Sequence, residues 1–221
     1  MLLPYLLAVL PGLILCFLII RFDKRNSLSV FPSLLSFITG TLLVLPAIYL
    51  ASQGDFFFGG QGIPNWVTSF ILVASVEEGL KFLFLLLLPY VYFFKRPIDG
   101  IRYSILVGMG FAIAENLYFD LGSAWRVLLY RTCTTLVAHA SFSIILGAYM
   151  GRAKFSAGQS NFLLLRGLLV TICLHGFYNF FLISKTYTWM AFFSILTLVI
   201  SFLIALYMFN RVEIDSRPTS I

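Results

Sequence analysis

Charge is what this sequence most lacks. Only 11% of its 221 residues are Asp, Glu, Lys or Arg, and 60% are hydrophobic, where a soluble domain keeps about a quarter of its residues charged. Mean hydropathy is +0.97. Such a chain cannot cover its own surface with water-compatible groups, so its solvent is lipid. No polar stretch is long enough for a separate soluble domain, and the whole chain, 1–221, reads as one membrane-embedded unit. Paired cysteine is absent too. Cys16, Cys133 and Cys173 all stand in apolar runs with no CxxC spacing, which excludes a disulfide framework or a zinc knuckle. No basic segment precedes the first apolar run, so that run reads as a retained helix and not a cleaved signal peptide. HExxH and GxSxG are missing, which removes the zincin and serine-elbow arrangements. There is no internal repeat.

What is present is a series of apolar runs. A transmembrane helix needs about 20 such residues, and seven runs qualify: 2–20, 30–50, 67–94, 101–121, 127–150, 162–183 and 189–209. The predicted fold is therefore an all-α, polytopic transmembrane bundle. The third run is the longest, and Pro89 is placed to kink it. The net charge of +6 would suggest nucleic acid in a soluble protein. Here the cations lie in short loops: Arg21, Lys24 and Arg25, then Lys95 and Arg96, then Arg152 and Lys154, and Arg211 and Arg217 in the tail, outweighing Arg126 and Arg131 in the fourth loop and Lys185 in the sixth. That is the positive-inside pattern, and no nucleic-acid partner is expected. It puts the N-terminus outside and the C-terminus in the cytoplasm. The second loop has no Lys or Arg, and its Phe56-Phe57-Phe58-Gly59-Gly60 stretch suits the membrane interface or an apolar substrate.

Ionisable residues inside the apolar runs are the functional signal, because each is costly in lipid and marks a site by default. The third run holds Glu77, Glu78 and Lys81. On a helix Lys81 lies one turn beyond either glutamate, so one carboxylate is neutralised and the other is left in the setting of a general base. The fourth run holds Glu115 and Asn116, preceded by Gly108 and Gly110, small residues that permit close helix approach. The only two histidines of the chain are both intramembrane: His139 in the fifth run, and His175 in the sixth, where Asn179 shares its face. Counted from the outer ends of their runs, Glu77 lies ten residues deep, His139 twelve, Glu115 six and His175 eight. At 1.5 Å per residue these are depths of roughly 9 to 18 Å. Four helices that bring their polar groups to one level predict one convergent site in the outer half of the membrane. Ser75 and Ser141 are near it but lack a basic partner. His139, His175 and Glu77 could form a two-histidine, one-carboxylate zinc site. The adjacent Lys81 disfavours a cation there, so no cofactor is expected.

Glu77-Glu78-x-x-Lys81, Phe111-x-x-x-Glu115-Asn116, His139 and His175-Gly-x-Tyr-Asn179, in this order, resemble the PrsW family of bacterial membrane proteases, as does the segment 147–156. The resemblance covers about residues 77–180, and the motif-bearing core about 67–183. PrsW proteins are distant relatives of the CAAX prenyl endopeptidases and bacteriocin-immunity proteins. The resemblance implies a site-1 protease of the bacterial plasma membrane. Such a protease cuts a single-pass anti-sigma factor on its extracytoplasmic side, and an extracytoplasmic-function sigma factor is then released. It also implies that Glu77, Glu78 and His175 are essential. Two features depart from the family pattern: the last motif ends in Asn179 where Asp is usual, and the first loop is basic instead of acidic. The expected chemistry is peptide hydrolysis by water activated on Glu77, with Glu78 and Lys81 tuning it. His139 and Glu115 would position the reactants, and His175 and Asn179 would stabilise the oxyanion. The rival readings are a non-catalytic immunity or scaffold protein of the same clan and a proton-coupled transporter.

Overall fold

The structure is a computed structural model, which describes residues 3–21, 29–58, 62–120, 125–156, 158–184 and 189–216. Among these there are seven α-helices and no strand: α1 Leu3–Arg21, α2 Val30–Phe57, α3 Ser75–Leu87, α4 Pro97–Asp120, α5 Trp125–Phe155, α6 Ser160–Ile183 and α7 Trp189–Asp215. The chain is a helical membrane bundle. Val30–Gly54, Leu129–Phe155, Ser160–Ile183 and Trp189–Asp215 are each long and apolar enough to cross a membrane. Large apolar side chains cover the outside, with Phe31 73%, Leu45 64%, Phe192 63% and Leu203 59% exposed. A water-soluble monomer does not tolerate apolar surface on this scale. Of the loop features, Lys24, Arg25, Gly59, Gly60, Lys185 and Arg217 lie outside the described residues.

The core is built on α4 and α5, the most extensive helix pairing in the molecule. Small residues make it possible. A Cβ on Gly100 would clash with the Gly147 carbonyl, one on Gly147 with that of Gly100, and one on Gly151 with that of Pro97. Gly147 and Gly151 form a small-xxx-small ridge that lets two backbones touch. In the same way Gly40 meets the Val107 backbone and Gly110 meets that of Phe37, which seats α2 against α4. Around these contacts Leu106, Val107, Met109, Ala112, Ile145 and Leu146 are buried.

The third apolar run is not one straight helix. It opens as a π-helical stretch, Val67–Ala74, continues as α3, breaks at Leu88, and closes with a short π turn, Pro89–Phe93. The Ser75 hydroxyl donates to the Phe70 carbonyl (2.6 Å) five residues back, matching the wider π register. The predicted kink at Pro89 is thus present, since Pro89 has no N–H to continue the ladder. Lys154 of α5 donates to the carbonyls of Tyr90 and Val91 that the break leaves over. Asp99, third residue of α4 and fully buried, accepts from the backbone N–H of Lys95 (3.0 Å) and Arg96 (2.9 Å). It therefore caps that helix as a first-turn acid should. The helices also outrun the apolar runs: α2 reaches Phe57 and α7 reaches Asp215, because hydrogen bonding continues into the polar flanks.

Gly147→Leu should cost about 1–3 kcal/mol, the usual penalty of overpacking, or prevent folding. Gly158→Leu, with nothing near its Cβ but a backbone φ of +79°, should disturb only its own turn. Thermal unfolding of the purified proteins in detergent compares the two.

Candidate active site

Every ionisable residue singled out in the apolar runs converges on one place, and Lys81 is at its centre. Glu77, Glu78 and Lys81 come from the first two turns of α3, Glu115 from α4, His139 from α5 and His175 from α6. The Lys81 ammonium donates to Glu78 Oε1 (2.9 Å) and to His139 Nδ1 (3.0 Å). It lies 3.5 Å from Glu77 Oε2. It also stands 4.0 Å from the centre of the Phe111 ring, a cation–π contact. Glu78 Oε1 is shared with His175 Nδ1 at 3.0 Å. His139 Nε2 and Glu115 Oε2 are 2.9 Å apart. An ammonium only donates, so His139 Nδ1 is the acceptor, and the ring proton sits on Nε2 and goes to Glu115. One network thus assigns the tautomer.

The centre of the network is buried and flanked by aromatic side chains. Glu78 is 1%, Lys81 2%, His139 3% and His175 3% exposed. Phe142 stacks on His175, centroids 4.9 Å apart, and the two imidazoles meet edge to face at 5.4 Å. Close approach of the π-helical stretch to α6 is needed for Glu78 to reach His175. Gly176 allows it, for a Cβ there would run into the Phe70 ring.

Beside the network is a cavity of about 400 Å³ walled by Val44, Ala47, Ile48 and Ala51 of α2, Leu72 and Val73 of the π stretch, and Leu182 and Ile183 of α6. Among the described residues, Glu77, Glu115, Asn179 and Arg131 are the ionisable or amide side chains that face it. Glu77 Oε2 is buried and, apart from its ion-pair distance to Lys81, has no hydrogen-bond partner.

Of the residues expected from sequence, Glu77, Glu78, Lys81, Glu115, His139 and His175 form the network, and Asn179 joins through the cavity. Asn116 stays apart: it is fully buried, and neither amide atom has a partner. The Ser75 and Ser141 hydroxyls donate to Phe70 and Val137 of their own helices, the ordinary back-bonding of intrahelical serine. Sequence reasoning assigned no role to three participants. Phe111 entered only as a position of the family motif, although its spacing, one turn before Glu115, puts it on the same face. Phe142 carries no signal beyond being aromatic. Arg131 was counted among loop charges, whereas α5 begins early enough to carry it inside the bundle.

A helical membrane protein that gathers glutamates, histidines and a lysine beside an apolar cavity has the parts of an intramembrane hydrolase. Comparison with known proteins agrees. The chain matches the family described as PrsW family intramembrane metalloprotease over residues 32–208. It is 33% identical to the Protease PrsW of Shouchella clausii over 182 residues, 81% of this chain and 83% of the relative. The Protease PrsW of Bacillus subtilis is 31% identical over 79% of this chain and 80% of its own length. That of Clostridioides difficile is 29% identical over 96% of this chain and 90% of its own length. No solved structure matches the chain. The chain belongs to the PrsW family of intramembrane proteases, and the match is wider than the motif-bearing stretch, reaching into α2 and α7.

Removing one partner of a buried ion pair strands the other and costs about 3–5 kcal/mol. Glu78→Ala leaves both Lys81 and His175 without their shared oxygen and should destabilise by that amount or abolish folding. Glu77→Gln, which gives up only the longer contact to Lys81, should unfold close to wild type. Thermal unfolding in detergent tests the difference, and equal losses would contradict the ranking.

Proposed function

We propose that the chain hydrolyses a peptide bond in a single-pass membrane protein of the anti-sigma-factor kind, using water activated by Glu77. The observation that carries this is Glu77 itself: its side chain lines the cavity, and its Oε2, 3.5 Å from the Lys81 ammonium, has no hydrogen-bond partner. A general base must offer such an atom to the water whose proton it takes. Lys81 and Glu78 fix the Glu77 side, and Glu115, held by His139, borders the same space and orients the water. Glu77 takes a proton, the oxygen adds to the scissile carbonyl, and the Asn179 amide donates to the oxyanion. His175, one turn earlier on α6, holds Glu78 and supports that wall. Collapse of the intermediate breaks the C–N bond, and the amine leaves with the proton held by Glu77.

The family description names a metal, and two sets of donors stand close enough together to be compared with a metal site. Glu77, Glu115 and His139, and likewise Glu77, Glu78 and His175, bring ligand atoms within 4.8 Å of one another. Glutamate and histidine suit zinc. Lys81 does not fit: its ammonium is within 3.5 Å of Glu77, Glu78 and His139, so it holds the place a divalent cation would take, and two cations that close repel strongly at low dielectric. We therefore assign no cofactor and route no step through a metal. The basic loops support a multi-pass protein of the bacterial plasma membrane, N-terminus outside and C-terminus cytoplasmic, with the site in the outer half.

The test is cleavage of a panel of tagged single-pass anti-sigma factors by the purified protein in detergent, with wild type and Glu77→Gln side by side and with and without chelator. Cleavage is expected from wild type alone and unchanged by chelator. Wild-type rates from Glu77→Gln would sink the assignment of the base, chelator-sensitive cleavage the metal-free scheme, and no cleavage of any member by the folded protein the anti-sigma-factor reading.

A further inference from the structure

The face that α2 turns to the cavity carries no charge. Val44, Ala47, Ile48 and Ala51 line it, and their spacing of three and four residues puts them in one stripe. Ser52 borders the same stripe, and its hydroxyl donates to the Tyr49 carbonyl of its own helix. Leu45 and Tyr49 of α2 are exposed, so a single helix separates the cavity from lipid. The charged groups stand on other walls: Glu77 on α3, Glu115 on α4 and Arg131 on α5. Close-packed interiors hold few voids larger than a water molecule. A mostly apolar space of about 400 Å³ beside the ionisable cluster therefore has the character of a binding site, and its α2 wall can sort what enters by size but not by sign of charge.

Packing sets the level of this wall. Val44, Ala47 and Phe111 form one buried cluster, and Val76 and Ala114, the residues just before Glu77 and Glu115, pack against it. Ala47 is therefore level with the two carboxyl groups, and Ala51 lies one turn farther along, about 6 Å. An extended peptide advances about 3.3 Å per residue and turns every second side chain to the same face, so residues i and i+2 of a strand laid along α2 match the two alanines. We propose that Ala47 is a specificity-determining residue: the space before its methyl group receives an uncharged, apolar substrate side chain larger than alanine, next to the scissile bond. Ala51 makes the same room for the side chain two residues away. The placement rests on the hydrolytic reading, which puts the scissile bond at the level of Glu77. A charged substrate side chain at either place finds no partner on α2.

The probe is a fluorescent peptide of mixed apolar sequence in which each position in turn is Ala, Leu or Phe. Binding is measured by anisotropy to Glu77→Gln protein in nanodiscs, which binds without turnover, and wild-type cleavage maps the scissile bond. A single methylene in an apolar pocket changes selectivity by roughly 10–200-fold. Leu at one position next to the scissile bond should therefore bind about tenfold or more tighter than Ala. Adding Ala47→Leu should remove that preference at that position, and adding Ala51→Leu should remove the one two residues away. A Leu-over-Ala preference unchanged by Ala47→Leu overturns the proposal. So does a loss shared equally by all positions, and so does binding that is absent or ignores size throughout. If Ala47→Leu fails to fold, Ala47→Val and Ala51→Leu decide, with the same position-specific losses expected. Flat binding leaves the hydrolytic reading standing. Failed cleavage in the anti-sigma-factor assay leaves the size preference measurable, since the two positions are then those, two residues apart, that respond to the two alanine substitutions.

Discussion

An ammonium group buried among four helices is the constraint on which the centre of this molecule depends. Lys81 is 2% exposed, and a charge so far from water is tolerated only when it is closely paired. Glu78, Glu77, His139 and the Phe111 ring supply the pairing, and they come from α3, α4 and α5. His175 of α6 is attached through the oxygen it shares with Lys81 on Glu78. Packing of α3 against its neighbours and assembly of the polar cluster are therefore one event. The helices cannot drift apart without stranding a cation, and the cation cannot be seated until they meet.

The backbone meets this demand with local departures from regular helix. Glycines at 100, 147 and 151 remove the side chains that would hold α4 and α5 apart, so Glu115 and His139 come within 2.9 Å. Gly176 does the same between α6 and the π-helical stretch. That stretch rotates the residues that follow it relative to an α-helical continuation, and Glu77 and Glu78 are the first charged residues after it. Wide turns of this kind recur at functional sites. Here the consequence is visible: one glutamate of an adjacent pair faces inward to His175 while the other faces the cavity.

Much of this was legible in the sequence because lipid makes polar residues conspicuous. Seven apolar runs gave seven helical regions, and Pro89 marked the break in the third. Six ionisable residues stood out against their surroundings, and all six meet. What was not legible depends on direction and distance. Spacing alone left Lys81 free to reach either glutamate; the structure gives the shorter contact to Glu78 and frees an oxygen of Glu77. Asn116 follows Glu115 in sequence but points elsewhere, since neighbours on a helix are about 100° apart. Arg131 was obscured because helix ends extend past apolar runs, so a charge at a run's edge can belong to a loop or to the bundle. Asp99 was hidden among the cations of its loop, although a first-turn acid is an ordinary capping signal.

The division of the cluster into an enclosed part and a cavity-facing part also bears on the departure at Asn179, where the family motif usually ends in Asp. Glu78, Lys81, His139 and His175 form the enclosed part. Glu77, Glu115 and Asn179 face the cavity together with Arg131, so two carboxyl groups there meet one guanidinium, with one ammonium behind them. A third carboxylate at 179 would add like charge where the dielectric is low, and an ionised carboxylate can only accept hydrogen bonds. An amide carries no charge and brings two N–H donors to the wall opposite α2. In the proposed scheme Asn179 would thus supply the one function that neither glutamate can perform when ionised, donation to a developing oxyanion, without changing the charge balance of the site.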